Sequence, residues 1–226
     1  MTSYEVITDL ASDVEDRFKK TNDGRGEDFL PYDQFDKLVT RDVVESALKN
    51  AEVRDSGDLV EFVINKARRL FLILVMMTSR KDEKLSLLRD LQRHGISDDD
   101  LPIGFIKQNN RKYYGYSIEK HHDEKHFEVF DGWERNERDL FNSNQWQFTS
   151  PRFDNTKFRH HFNTKRILPF MQVAARPHSS GFFGEVSRIE VHPAHFLPQL
   201  GVVCTLLLFL TQVELRESRI LGQEML

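Results

Sequence analysis

Apolar residues recur at helical spacing through the first hundred positions and at strand spacing near residue 170, and this change of period divides the chain. In residues 4–20, Val6, Leu10, Val14 and Phe18 stand four apart with Ile7 and Ala11 beside them. One stripe of this kind predicts an amphipathic helix. Lys19 and Lys20 suit the negative end of its dipole. Thr21-Asn-Asp-Gly-Arg-Gly26 then interrupts the pattern with two glycines, which predicts a mobile linker and a loosely docked first helix. After a short helical turn following Pro31, Thr40 is placed to cap a helix with Asp42 in its first turn, and Val43, Val44, Ala47, Leu48 and Ala51 follow at helical spacing.

A longer helix is predicted where Leu59, Val63, Ala67, Leu70, Leu74 and Met77 share a face. Up to Arg69 its opposite face is charged, but Phe71–Met77 is apolar all round, so that end is expected at the centre of a helical core. The run is too short for a membrane span, which needs about 20 apolar residues. In the next helix Leu85, Leu88 and Leu91 point inward, Arg93 and His94 occupy the last turn, and Gly95 provides a left-handed stop. Aromatic-rich segments, Phe127–Trp133 and Trp146–Phe153, bracket a predicted helix over Glu134–Asn144 and suit an aromatic connector over the bundle. The period then shortens. Leu168–Ala174 and Val186–Val191 read as two strands around a small-residue turn, and Leu200–Val213 is a 14-residue apolar stretch. The fold class expected is α+β: a mainly helical N-terminal module, a β-hairpin and a C-terminal apolar helix.

Composition narrows the function. The 226 residues carry 39 % hydrophobic and 30 % charged side chains with 18 phenylalanines, which is the make-up of a globular protein with a large core. A net charge of −4 with both signs mixed gives no general attraction to nucleic acid or anionic membrane. The single cysteine, Cys204, cannot form an internal disulfide, and the N-terminus lacks the basic and apolar regions of a secretory signal. A cytoplasmic setting is expected, with no nucleic-acid and no membrane partner, and a protein partner is expected at the helical module.

Three clusters invite chemistry and fall short of it. Asp98-Asp-Asp100 lacks the alternating ligands, the central glycine and the terminal Glu of a calcium loop and reads as a solvated capping loop, with Asp100 placed to cap the segment after Pro102. Tyr113, Tyr114 and Tyr116 among Arg111, Lys112 and Lys120 have a base-stacking composition, but Glu119, Asp123 and Glu124 dilute the charge. His121, His122 and His126 miss the zincin pattern because Asp123, not Glu, follows His122; a further ligand would have to come from His160 or His161. No metal site is expected.

The remaining motif is Gly181-Phe-Phe-Gly184-Glu-Val186, the second half of the kinase glycine loop G-x-G-x-x-G-x-V, with Ser179 where the first glycine would stand. Glycines let backbone N–H groups approach ATP phosphates, and a valine two residues on can cover the adenine. Leu168-Pro-Phe170 and Gly181–Pro193 together resemble the opening of the catalytic domain in a family of fungal serine/threonine protein kinases. Phe29-Leu-Pro-Tyr-Asp, Leu70-Phe-Leu-Ile-Leu-Val, Gly95-Ile-Ser-Asp-Asp-Asp-Leu-Pro102, Gln145-Trp-Gln-Phe and Ser150-Pro-Arg-Phe153 are similar, in the same order, to the region preceding it.

This resemblance covers about residues 28–195 and implies four segments. They are a first helix and linker (1–26), a helical accessory module with an aromatic connector (27–153), a partial kinase N-lobe (154–195) and an apolar tail (196–226). It also implies ATP binding at Ser179, Gly181, Gly184 and Val186, and Mg²⁺-dependent phosphorylation of serine or threonine in full-length relatives. The chain has no lysine after Lys165 and no aspartate after Asp154, so the strand lysine, the catalytic base and the Mg²⁺-holding Asp are missing. A truncated, inactive kinase-like chain with weak or vestigial ATP binding is expected, and a non-enzymatic helical interaction module is the alternative. For Leu200–Val213 the readings are a helix packed on the hairpin, a tail anchor, or sequence read through from a mis-spliced exon. The loss of motifs and the change of character favour the last.

Overall fold

The computed structural model describes residues 3–51, 53, 56–78, 84–107, 112–120, 126–153, 162–173, 179–181, 184–197 and 206–210. In chain order the elements are α1 (Ser3–Arg17), β1 (Lys19–Lys20), β2 (Asp28–Phe29), α2 (Phe35–Leu38), α3 (Arg41–Asn50), α4 (Gly57–Lys66), α5 (Arg68–Met77), α6 (Leu87–Arg93), β3 (Ile103–Lys107), β4 (Tyr113–Ser117), α7 (Arg135–Phe148), β5 (Phe170–Val173), β6 (Ser179–Gly181), β7 (Gly184–Val191) and β8 (Leu206–Leu210). The class is α+β, as the pattern predicts. The chain forms two compact units, one of residues 1–18 and 33–149, the other of residues 19–32 and 150–226.

The first unit is organised around α5, in which Leu70–Val75 and Met77 are all buried. It packs against α1, α4, α6 and α7, so every side of the helix meets apolar neighbours and its all-round hydrophobicity is accounted for. The predicted single helix through residues 59–77 is instead two, broken at Ala67, whose backbone turns out of the helical region at φ −142°, ψ 34°. No glycine or proline marks the break. It gives α5 a new N-terminus, and the carboxylate of Asp98 accepts hydrogen bonds there from the N–H groups of Arg69 (2.9 Å) and Leu70 (3.0 Å). The three-aspartate loop is a capping loop as expected but only partly solvated: Asp99 is exposed, whereas Asp98 is half-buried and Asp100 buried. Asp100 accepts the Ser97 N–H at 2.9 Å and pairs with Lys120 at 2.8 Å.

Other predicted helix signals hold. The Thr40 hydroxyl accepts from Val43 N–H at the start of α3, Leu85, Leu88 and Leu91 are fully buried, and Gly95 takes φ +64° at the end of α6. The first helix differs from expectation. It stops at Arg17, and Ile7, Leu10 and Val14 are buried against a unit that includes α3 and α5, so it is firmly docked. Helix α7 runs one turn further than predicted, to Phe148, which brings Gln145 and Trp146 into the helix.

The β3–β4 hairpin is not legible from periodicity. It pairs Ile103 with Ser117 through Lys107 with Tyr113. Two glycines permit its packing: a Cβ on Gly115 would stand 2.5 Å from the Phe130 ring, and one on Gly104 would stand 2.5 Å from the Tyr116 ring. Phe105, Phe127, Phe130, Trp133 and Phe141 form an edge-to-face cluster under the hairpin. The buried Gln145 amide then acts as a substitute strand for β3. It accepts Ile103 N–H at 2.7 Å and donates to Ile103 C=O at 2.9 Å.

In the second unit, Lys19 and Lys20 are strand rather than helix residues, paired with Phe29 and Asp28. The intervening residues form a bonded loop and not the expected mobile linker: Thr21 N–H donates to Glu27 C=O (2.9 Å), and the Asp23 carboxylate accepts from the Thr21 hydroxyl (2.8 Å) and Arg25 N–H (3.0 Å). The expected C-terminal apolar helix is also corrected. Within that stretch Leu206–Leu210 is a strand, antiparallel to β7. An unbroken apolar run carries no period, so an open strand edge that needs hydrogen-bond partners decides its conformation.

The buried polar groups set the expected response of stability to substitution and pH. Asp98→Ala should lower the unfolding free energy by about 1–2 kcal/mol in urea titrations, the usual cost of a lost helix cap. Burial pushes the Asp98 carboxyl up from 3.8 to about 6, against the opposing pull of the two N–H bonds. The native state therefore holds this proton more tightly than the unfolded chain, and its contribution to stability should fall as pH rises from 3.8 to about 6 and level off above. Asp98→Asn should remove that slope. Gln145→Leu should cost about 2 kcal/mol or more, because it leaves two buried backbone groups of Ile103 without partners.

Candidate functional site

The glycine hairpin is built on β7. Residues 185 and 186 pair with β6 on one side and β8 on the other, and residue 189 pairs with both β5 and β8. A strand has two edges, so β5 and β6 lie along the same edge of β7 and β8 lies along the opposite one. The result is a meander in which the chain runs up through β5 and β6, turns, descends β7 and returns in β8. The sheet stands on Phe153, Phe170, Ile189 and Val191, with Phe162, Leu168 and Phe196 packed against them.

All four predicted site residues fall in two cross-strand pairs of this hairpin: Ser179 opposite Val186, and Gly181 opposite Gly184. Phe182 and Phe183, between the two glycines in sequence, lie outside the described residues. Further along β7, Ile189 and Val191 are buried while Glu190 between them is exposed, so the strand alternates across one covered face.

The base of the hairpin is fixed by backbone bonds. His192 N–H donates to Pro169 C=O at 2.9 Å, which closes the far end of the β5–β7 pair. Phe153 extends the arrangement, receiving a hydrogen bond from Leu197 N–H (3.0 Å) and donating to His195 C=O (2.7 Å). His195 is buried, its Nδ1 2.9 Å from Pro151 C=O, and the Ser150 hydroxyl donates to Ile167 C=O at 2.7 Å. These bonds hold both ends of the segment that leads into β5.

The other candidate clusters have different settings. The Tyr113 ring is covered by the Arg138 guanidinium at 3.9 Å, while Tyr116 covers Gly104 and Tyr114 meets the exposed His126 ring at 4.0 Å. Arg138 also donates to the carbonyls of Phe130 and Trp133. His121, His122, His160, His161 and Cys204 lie outside the described residues. Among the described residues no group of three His, Cys, Asp or Glu side chains is placed to hold a metal ion, and no helix is long and apolar enough to cross a membrane.

Sequence reasoning missed the buried ion pair of Lys84 with Glu137, 2.7 Å long. Glu137 also accepts the Glu134 N–H at 2.6 Å, so one carboxylate caps α7 and neutralises a buried lysine. The spacing of Glu134 and Glu137 carried a capping signal; nothing local pointed to Lys84.

For ATP, the backbone fits in part: Gly181 and Gly184 pair with each other where β6 meets β7. The residues that would hold Mg²⁺ and the phosphates in a kinase are missing after residue 165, so no catalytic step is derived. No protein-family model, no curated protein and no solved structure matches this chain.

Proposed function

We propose that residues 179–186 are a nucleotide-holding hairpin of the kinase glycine-loop type, in a chain that does not itself transfer phosphate. The observation that carries this reading is the register, which puts Gly181 and Gly184 at the two corners of the turn with Val186 two residues on. Glycines at both corners let backbone N–H groups reach the phosphates of ATP. Val186, two residues past the second glycine, covers the adenine. The similarity of the neighbouring phrases to fungal serine/threonine kinases supports the same reading.

The affinity is weak. Ser179 replaces the first glycine, and no lysine follows Lys165 to pair with the phosphates. Mg²⁺ belongs to relatives that carry the catalytic aspartates. A cytoplasmic setting, where ATP is plentiful, suits a chain with one cysteine.

The second reading, a non-enzymatic interaction module, is favoured by the first unit's own capped helices and closed core. On either reading the helical unit is the place for a protein partner.

Thermal unfolding with and without ATP separates the two. ATP at ten times its Kd should stabilise the full chain by about 1.4 kcal/mol, and Gly184→Val should remove the effect. A wild-type protein indifferent to ATP would select the interaction module. Incubation with labelled ATP and an acceptor protein should give no incorporation of phosphate. Incorporation that tracks the purified chain through successive columns would overturn the non-catalytic part.

A further inference from the structure

The second unit contains a piece of chain from far outside its sequence neighbourhood. Residues 19–32 leave the helical unit after α1 and return to it before α2, and the ends of this excursion are clasped by a hydrogen bond from Arg17 Nη1 to Gln34 Oε1 of 3.0 Å. The excursion is a short loop closed by its own bonds at Thr21, Asp23 and Glu27. Its two strands are two residues each, and its loop turns at Gly24 and Gly26 with φ of 89° and 65°.

Its contacts fall on the segments that frame the glycine hairpin. Asn22 N–H donates to Phe170 C=O at 2.8 Å, at the first residue of β5. Arg25 Nη1 donates to Thr164 C=O, in the turn before β5. Phe29 is fully buried and meets the rings of His192 and His195 edge-on at 5.9 and 5.4 Å, where β7 ends. The Arg152 guanidinium lies 4.0 Å from the centroid of the Tyr32 ring, next to the core residue Phe153. Leu30, beside Phe29, is also buried.

We propose that residues 19–32 are a conformational brace for the glycine hairpin, whose docking holds the start of β5 and the end of β7 in register. The physical reason is local. A small antiparallel sheet of mostly short strands depends for its stability on packing against its apolar face. Here Phe29 fills the core at one end of the pair, and the Asn22 N–H satisfies a carbonyl at the edge of β5. The brace is tied to the hairpin by Asn22, Arg25 and the Phe29 ring, so it can undock with its own loop bonds intact, and the hairpin loosens when it does. The extension to ligand affinity rests on the nucleotide reading above; the mechanical claim does not.

Native-state hydrogen exchange on the full chain tests the mechanical claim without a variant. The Asn22 amide should open together with the amides of β5 and of Ile189–Val191, at a shared denaturant dependence, and separately from α5. If Asn22 instead opens with its sequence neighbours in α1, or independently of β5 and β7, the brace is refuted. Phe29→Ala should speed exchange in β5 and β7 by about a hundredfold or more, with α5 protection unchanged. Equal loss of protection in α5 would mean global destabilisation and would also count against it.

Nucleotide titration then isolates the dependent claim. If wild type binds ATP, Phe29→Ala should weaken binding in step with the loss of protection; unchanged affinity refutes the coupling. If wild type does not bind ATP, the nucleotide reading and its coupling fail, while the exchange data still decide the brace.

Discussion

A helix buried on all sides has backbone N–H groups at its start that water cannot reach. In α5 this constraint shapes the unit around it. Leu70–Val75 can be surrounded by apolar side chains only if the freed donors of its first turn find an acceptor inside the protein. Asp98 supplies it from a distant loop, at the cost of desolvating its own carboxylate. The break at Ala67 and the placement of Asp98 are two sides of one arrangement, since the helix start that the break creates is the one that the Asp98 carboxylate caps.

The same requirement recurs where β3 meets α7. Among the described residues strand β3 pairs with β4 alone, and Gln145 provides a pair of bonds on its other edge at Ile103. The glycines at 104 and 115 let aromatic rings approach the backbone directly. The aromatic cluster under the hairpin depends on these close approaches, so the amide and the glycines specify the packing more than the number of phenylalanines does. Lys84 and Glu137 extend the theme, since each charge is tolerable in the interior because the other is 2.7 Å away.

The second unit is a sheet whose pieces come from two ends of the chain. Its hairpin pairs Ser179 with Val186 and Gly181 with Gly184. At its base residues 19–32 touch the start of β5 and the end of β7, so segments far apart in sequence are adjacent in the folded unit.

The sequence by itself determined the elements whose signals are local. Thr40 and Gly95 mark helix ends through the conformations those residue types favour, the all-apolar Phe71–Met77 run announces a core helix, and the pair of glycines around Phe182-Phe183 announces a hairpin. It also names Ser179, Gly181, Gly184 and Val186 as candidates, and in the structure these residues pair across β6 and β7. What only the tertiary structure decided are the features made by partners far apart in the chain. The start of α5 after the break at Ala67 is capped by Asp98, the β3 edge is met by Gln145, and residues 19–32 pack on residues beyond 150. The Leu206–Leu210 strand belongs here as well, because an apolar run without a period satisfies a helix or a sheet equally, and the open edge of β7 supplies the hydrogen bonds that select one. Local propensity chooses among conformations of a few residues, whereas the need to pair every buried polar group is met by whichever residues the fold brings near.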